Sequence, residues 1–214
     1  MNCSLKCFLE FKEAATAEKR AAIVKKYKKG TTEPSKGMIV YYSPALQAMK
    51  GRLCPGESLS DILKAIRDKC HIAAWTDKLN DARLESNVLV FKAFFSIFGS
   101  KKLKVFSSPR LHCLLSGEVA VTLQPELYAE VDGVPMVWKI GMSKDGPDEA
   151  TIRQILQMLY QALKQKGFSI PIEQIGYFDV RNGKVYFEAA IDAELGKKLG
   201  PAAHALAHAW AKAA

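Results

Sequence analysis

The residues best suited to chemistry in this 214-residue chain are Glu126, Glu130 and Lys139, which lie within a short stretch that turns back on itself. Carboxylates supply the oxygen ligands that a hard divalent cation takes. An ammonium beside such an ion would steady the charge that develops on a phosphate under attack by water. The three side chains meet only if residues 123–142 form a β-hairpin. Asp132-Gly133 suits the positive φ angles of a two-residue turn. Leu127, Ala129 and Val131 before it, and Val134, Met136, Trp138 and Ile140 after it, are apolar at period two, so each strand is expected to bury one face. The other face then carries Glu126, Tyr128 and Glu130 against Val137 and Lys139. A two-residue turn sets Glu126 directly across from Lys139, about 5 Å apart at Cβ. A longer turn through Pro135 would instead set Lys139 opposite Tyr128, with both acids diagonal to it. On a solvated sheet face the same residues would form a cross-strand ion pair worth roughly 0.2–1 kcal/mol.

Helical spacing dominates the region before this hairpin. Residues 5–29 read as one helix ended by Gly30, residues 30–37 as a polar loop, and residues 38–42 as a strand or an extended lead into a helical turn. Residues 51–56 break the chain again. Ser60 is expected to cap a helix to Cys70. Residues 77–98 form a stronger helix, with Leu84, Val88, Phe91, Phe95 and Phe98 on its apolar face and Gly99 as its end. From residue 101 the period shortens to that of strands, at 103–107, 110–115 and 119–123. After the hairpin, Pro147-Asp148 caps a helix to about Lys166 whose buried stripe is Ile152, Ile155, Leu156, Leu159 and Leu163. Asn182-Gly183 marks a second hairpin, and a terminal helix is expected near Pro201.

Composition narrows the classes of function. With 49% hydrophobic and 25% charged residues, the chain has the make-up of an ordinary globular protein. No apolar run approaches the roughly 20 residues of a bilayer-spanning helix. The amino-terminal residues lack the apolar stretch of an export signal, and five cysteines cannot all pair within one chain, so reduced thiols in a cytoplasm are expected. The net charge of +9 is concentrated in the amino-terminal half, most densely at Lys19, Arg20, Lys25, Lys26, Lys28 and Lys29. Such a cluster suits phosphate contacts, or else a solubilising helix face. His204 and His208 at helical spacing, and Cys70-His71 with His112-Cys113, have ligand-type side chains without the spacing of an established metal motif. There is no phosphate-cradling glycine loop and no nucleophile elbow.

The order of helix, mixed strands, acid-bearing hairpin, amphipathic helix and closing strands resembles the restriction-endonuclease-like superfamily, the PD-(D/E)xK nucleases, over roughly residues 77–190. In that family a proline-aspartate on one strand and an acid-x-lysine on the next bind magnesium. Here Pro125-Glu126 matches the first element with glutamate for aspartate. Val137-Trp138-Lys139 keeps the lysine of the second and replaces its acid by valine. Glu130 lies on the proper face but nearer the turn, and Glu85 on the preceding helix stands where some members place a further acid. The resemblance also implies a role for Arg153, Gln157 and Tyr160 on the helix after the hairpin, where the family often carries glutamine or tyrosine.

The expected fold is therefore α/β: a mixed β-sheet flanked by helices, with a restriction-endonuclease-like core and carboxy-terminal helix at residues 77–214 and a basic, mostly helical region at residues 1–76. The expected function is a nucleic-acid-associated protein, with DNA or RNA as partner and a degenerate, weak or inactive metal site. Lys139, Glu126 and Glu130 would line that site, Glu126 and Glu130 being left to hold any Mg ion. Lys19, Arg20, Lys25, Lys26, Lys28 and Lys29, with Arg153 and Gln157, would contact the nucleic acid. The alternatives are an active Mg-dependent nuclease using the same three residues, and a non-catalytic protein-interaction module. A homodimer is compatible with each.

Overall fold

Helical signals fill the first hundred residues and strand signals begin just after them, and the chain follows that division except for a three-residue strand at Asn2–Ser4 that no signal marked. A computed structural model describes residues 1–29, 34–51, 58–142 and 146–213, with the side chains of residues 34–40 and 51 outside the description. The elements run β1 (Asn2–Ser4), α1 (Leu5–Glu13), α2 (Ala17–Lys28), α3 (Pro34–Gly51), α4 (Leu59–Cys70), α5 (Asp77–Phe98), β2 (Leu103–Phe106), β3 (Leu111–Leu115) and β4 (Val119–Leu123). They continue with β5 (Leu127–Val131), β6 (Val134–Gly141), α6 (Glu149–Gln165), a 3-10 turn at Ile172–Gln174, β7 (Ile175–Asp179), β8 (Lys184–Phe187) and α7 (Leu195–Lys212). The fold is mixed α/β with helices flanking the sheet, as expected. The strands, however, divide between two sheets. One has the order β2-β5-β6-β7-β8, with β6 parallel to β7 and its other neighbours antiparallel. The other has the order β1-β4-β3, with β1 parallel to β4.

Side-chain caps set most helix starts, because the first turn of a helix leaves amides without intrahelical acceptors. Ser4 accepts from the Cys7 amide, Thr16 from Lys19, Ser58 from Asp61, Thr76 from Leu79 and Asp148 from Thr151. Thr16 begins a new helix after Ala14 and Ala15, so residues 5–29 form two helices where one was expected. The cap expected at Ser60 lies at Ser58. Residues 38–42 belong to α3, which starts at Pro34 and runs through Pro44; the remainder of the two expected loops, 30–33 and 52–57, lies outside the described residues. α7 starts before Pro201, anchored by buried Leu195 and Leu199.

Two apolar cores lie on opposite faces of the five-stranded sheet. Leu127, Ala129, Trp138, Ile140 and Phe178 pack against Ala45 and Met49 of α3, Ile62 and Ile66 of α4, and the phenylalanines of α5. Trp138 seats its ring on Gly176, where a Cβ would come within 2.3 Å of it, and meets Phe98 edge-on at 5.1 Å. The opposite face contributes Val137, Ile175 and Tyr177 to a core shared with α1, α6, α7 and the three-stranded sheet. Among the described residues of 1–76, β1, α1 and α2 join this second core, while α3 and α4 join the first. The expected boundary at residue 76 is thus not a break in the apolar core.

α5 buries a stripe one position away from the apolar one read in its sequence. Asn80, Arg83, Asn87, Val90, Phe91, Phe94 and Phe98 are buried, whereas Leu84, Val88 and Phe95 are half-exposed. The polar members satisfy backbone groups elsewhere. Pro44 removes one amide from α3 and disturbs the helix around it. Asn87 accepts from the Ala45 amide at 3.0 Å and donates to the Tyr41 carbonyl at 2.8 Å. Arg83 donates to the same carbonyl at 3.1 Å and to the Cys70 carbonyl at 2.6 Å. Replacing Asn87 with alanine leaves the Ala45 amide without its side-chain acceptor, while the Tyr41 carbonyl keeps Arg83, and we expect a loss of about 1–3 kcal/mol. Urea unfolding measures it; a change within error would mean that α3 reaches other partners at no cost.

Candidate functional site

The hairpin forms with the two-residue turn. Asp132 and Gly133 take φ of 50° and 88°, Val131 pairs with Val134, and Leu127 pairs with Trp138. The Asp132 carboxylate also accepts from the Lys102 amide at 2.9 Å, tying the turn to the start of β2. Glu126 stands one residue before β5, and its amide donates to the Trp138 carbonyl at 3.0 Å, so the ladder continues through it.

This register brings Glu126 and Lys139 together, with Lys139 Nζ 2.5 Å from Glu126 Oε1. The other carboxylate oxygen accepts from the Ile140 amide at 2.7 Å, and the ammonium also donates to the Gln124 carbonyl at 3.2 Å. Ile140 lies beyond the last residue that β5 pairs, so the carboxylate takes the place of a strand partner there. Both side chains are only about one-fifth exposed, 19% for Glu126 and 21% for Lys139. On the parallel side Lys139 is in register with Tyr177. Burial, with Asp179 and Glu126 nearby, raises the Tyr177 phenol above its ordinary value. Asp179 itself accepts from the Arg181 and Asn182 amides and the Asn182 side chain, fastening the β7–β8 turn.

Glu130 does not join this group. Four residues along an extended strand separate it from Glu126 by about 13 Å. Between them Tyr128 packs on Phe106 and Phe168, with centroid distances of 5.1 and 6.0 Å, and Glu130 sits opposite Lys104 of β2. Val137, where the resemblance would place the second acid, is fully buried beneath α6. A hard cation needs several oxygen ligands converging at 2.0–2.6 Å. The expected pair of Glu126 and Glu130 does not supply them, because one carboxylate has both oxygens bonded and the other is too distant. Among the described residues no cluster of three or more His, Cys, Asp or Glu side chains could hold a metal ion. Glu85 is exposed on α5.

The expected nucleic-acid contacts divide into residues turned outward and residues engaged within the protein. Arg20 donates to the Ala14 carbonyl at 3.1 Å, with its guanidinium over Phe11. Lys26 pairs with Glu10 at 3.0 Å, and Lys28 donates to the Trp210 carbonyl at 3.0 Å. Lys19, Lys25 and Lys29 are exposed. On α6, Arg153 is exposed and bonded to Glu149. Gln157 is buried instead: its amide donates to the Ala190 carbonyl at 2.8 Å and accepts from the Asp192 amide at 3.0 Å. It holds the segment after β8 and has no side-chain group left for a phosphate. Helical spacing placed it beside Arg153, but nothing in the sequence told that residues 190–192 would cover that position.

The other ligand-type residues also lie apart. Cys70 and Cys113 belong to different cores, and the described cysteines, Cys3, Cys7, Cys70 and Cys113, are unpaired. Burial pushes the Cys113 thiol up to about 12, and it donates to Gln161 Oε1 at 3.4 Å. His204 Nδ1 lies 2.6 Å from a Glu118 carboxylate oxygen, in a groove absent from the sequence reading that also contains His208 and Trp210. No helix among the described residues is long and apolar enough to cross a membrane. A scan against protein-family models, a search of curated proteins and a search of solved structures each found no match.

Two outcomes follow from this geometry. Glu126→Ala deprives Lys139 and the Ile140 amide of their acceptor together, and should lower stability by about 2–3 kcal/mol. Glu126→Gln keeps an acceptor for the amide and should lose less. Urea midpoints of the two variants decide, and equal values would mean that the neutral acceptor kept by glutamine contributes nothing and that the carboxylate charge carries the whole loss. Cys113 should resist alkylation at pH 8 in the native protein and react once denaturant is added, as peptide mapping by mass spectrometry would record.

Proposed function

We propose that this chain is a nucleic-acid-associated protein on a nuclease-like α/β core, in which an internal ion pair occupies the place of a metal site. One observation carries the reading. α2 holds Lys19, Lys25 and Lys29 exposed and without side-chain partners among the described residues, on a chain of net charge +9. Ammonium groups left unpaired on one helix are available to phosphates, and displacement of condensed counterions would drive the association. Phosphate contacts of this kind give affinity without sequence information, so DNA and RNA are both admissible partners. Arg153 on α6 adds an exposed guanidinium, and Gln157 is no longer part of the proposed contact.

The element order supports the resemblance. Helix α5, antiparallel β2, β5 and β6, crossover helix α6 and parallel β7 follow the sequence of elements that suggested the family. On this reading Lys139 and Glu126 would take the place of its catalytic pair, and here they satisfy one another and the backbone. Cleavage supported by magnesium is accordingly not part of the proposal.

The test is equilibrium binding of the full chain to labelled duplex and single-stranded oligonucleotides across a range of salt. Log affinity should fall linearly with log salt. Reversing charge at Lys19, Lys25 and Lys29 together should flatten the slope by about 3 on duplex DNA if each contacts one phosphate, because each contact contributes about 0.9. Incubation with magnesium or manganese should leave the oligonucleotides intact. Absence of binding at low salt would refute the reading, and cleavage abolished by Lys139→Ala would restore the catalytic alternative.

A further inference from the structure

Away from the hairpin, a groove enclosing about 860 Å³ runs along α7 beside the β3–β4 turn. It is lined by Met1, Glu118, His204, His208 and Trp210, and its remaining α7 lining is alanine, at 205, 207 and 211. The alanines bring the helix surface close to any occupant. Trp210 and the imidazoles provide flat π surfaces beside it. Glu118, the carboxylate of this lining, is engaged with His204 at 2.6 Å, which fixes that ring.

The position of the groove matters as much as its lining. Lys28 donates to the carbonyl of Trp210 at 3.0 Å, so the basic helix α2 lies directly against the aromatic end of α7. The aromatic surface of the groove therefore lies beside the end of α2 at which the Lys25 and Lys29 ammonium groups are exposed. An occupant complementary to both has a planar ring system and a negatively charged backbone. Proteins that bind single strands combine these two features, with base stacking on aromatic side chains and cations tracking the phosphates. A duplex keeps its bases stacked inside and would reach only the lysines.

We propose that the groove between α7 and the β3–β4 turn is a base-stacking site for single-stranded nucleic acid, with Trp210 as the stacking platform and the α2 lysines following the phosphates. This proposal rests on the nucleic-acid reading above and specifies its substrate class. Trp210 has partial exposure and packs in part on the adjoining core, so the test needs a variant that preserves the fold.

The experiment compares the full-length chain with Trp210→Phe and Trp210→Ala, using labelled oligothymidylate and a duplex of the same length. The single strand should bind more tightly than the duplex. Trp210→Ala should weaken single-strand binding about tenfold, within the range measured for loss of one stacking partner. It should leave the salt slope and duplex affinity unchanged, and Trp210→Phe should retain most of the affinity. If Trp210→Ala binds the single strand like the parent while charge reversal on α2 still weakens binding, the groove proposal fails and the wider nucleic-acid reading stands. If no oligonucleotide binds at low salt, both fail. Self-association of the chain that is lost in Trp210→Ala, with single-strand affinity unchanged, would assign the groove to a second copy and overturn the proposal.

Discussion

Two parallel strands that lie side by side cannot be joined by a tight turn, and β6 and β7 are such a pair. The chain must leave the sheet after Gly141, cross one face and return, and α6 is that crossing. Because the three-stranded sheet lies on its far side, α6 is buried over most of its circumference, including Ile152, Ile155, Leu156, Met158, Leu159, Ala162 and Leu163. This constraint accounts for features that the hairpin alone leaves unexplained. Val137, an apolar residue where the resemblance would expect an acid, shares the buried core with α6, where a charge without partners would be expensive to desolvate. Gln157 is drawn into the protein because the segment after β8 passes over α6 and its backbone needs partners.

The Glu126–Lys139 pair sits at the edge of the same crossing. Removing two charges from water costs free energy that a single contact seldom recovers, so such pairs persist where further hydrogen bonds share the charge. Here the carboxylate also accepts an amide and the ammonium also donates to a carbonyl. Both charges are thereby built into the end of a β ladder. A metal ion would have to displace the lysine and leave the Ile140 amide without its acceptor. The residue types of a catalytic site are present, and their geometry makes them a fastening for β6.

Much of this was legible in the sequence, and the parts that were not have a common cause. The Asp132-Gly133 turn, the face shared by Glu126 and Lys139, the bounds of α5 and the stripe of α6 all follow from local rules: turn chemistry, period two and period 3.6. The inaccurate expectations concern what lies opposite an element. Val134 is apolar but exposed because the helices do not reach the end of the hairpin. The second face of the sheet is covered by α6 and the three-stranded sheet, which come from separate parts of the chain, so the hairpin alone left open whether Glu126 and Lys139 meet solvent. Asn80, Arg83 and Asn87 fall outside the apolar stripe that the spacing of α5 marks, yet they are buried because α3, the end of α4 and the turn after it present backbone groups to them. The hydrophobic period does not register polar side chains that serve another segment's backbone.

The basic cluster of α2 shows why charge counted along a sequence is a poor guide to charge available at a surface. Arg20 closes the end of α1, Lys26 answers Glu10, and Lys28 caps the carboxy-terminal part of α7. These contacts dock α2 on its neighbours, and Lys25 and Lys29, about 100° and 140° around the helix from buried Val24, stay exposed. Exposed ammonium groups this close together repel one another over distances below the screening length of about 8–10 Å in ordinary salt. A fold under no pressure to keep them could relieve that repulsion with one acidic substitution on the outer face. A polyanion relieves it directly, and it does so without displacing any contact that holds α2 in place. The docked lysines and the exposed ones thus do separate work, one set orienting the helix and the other facing the solution.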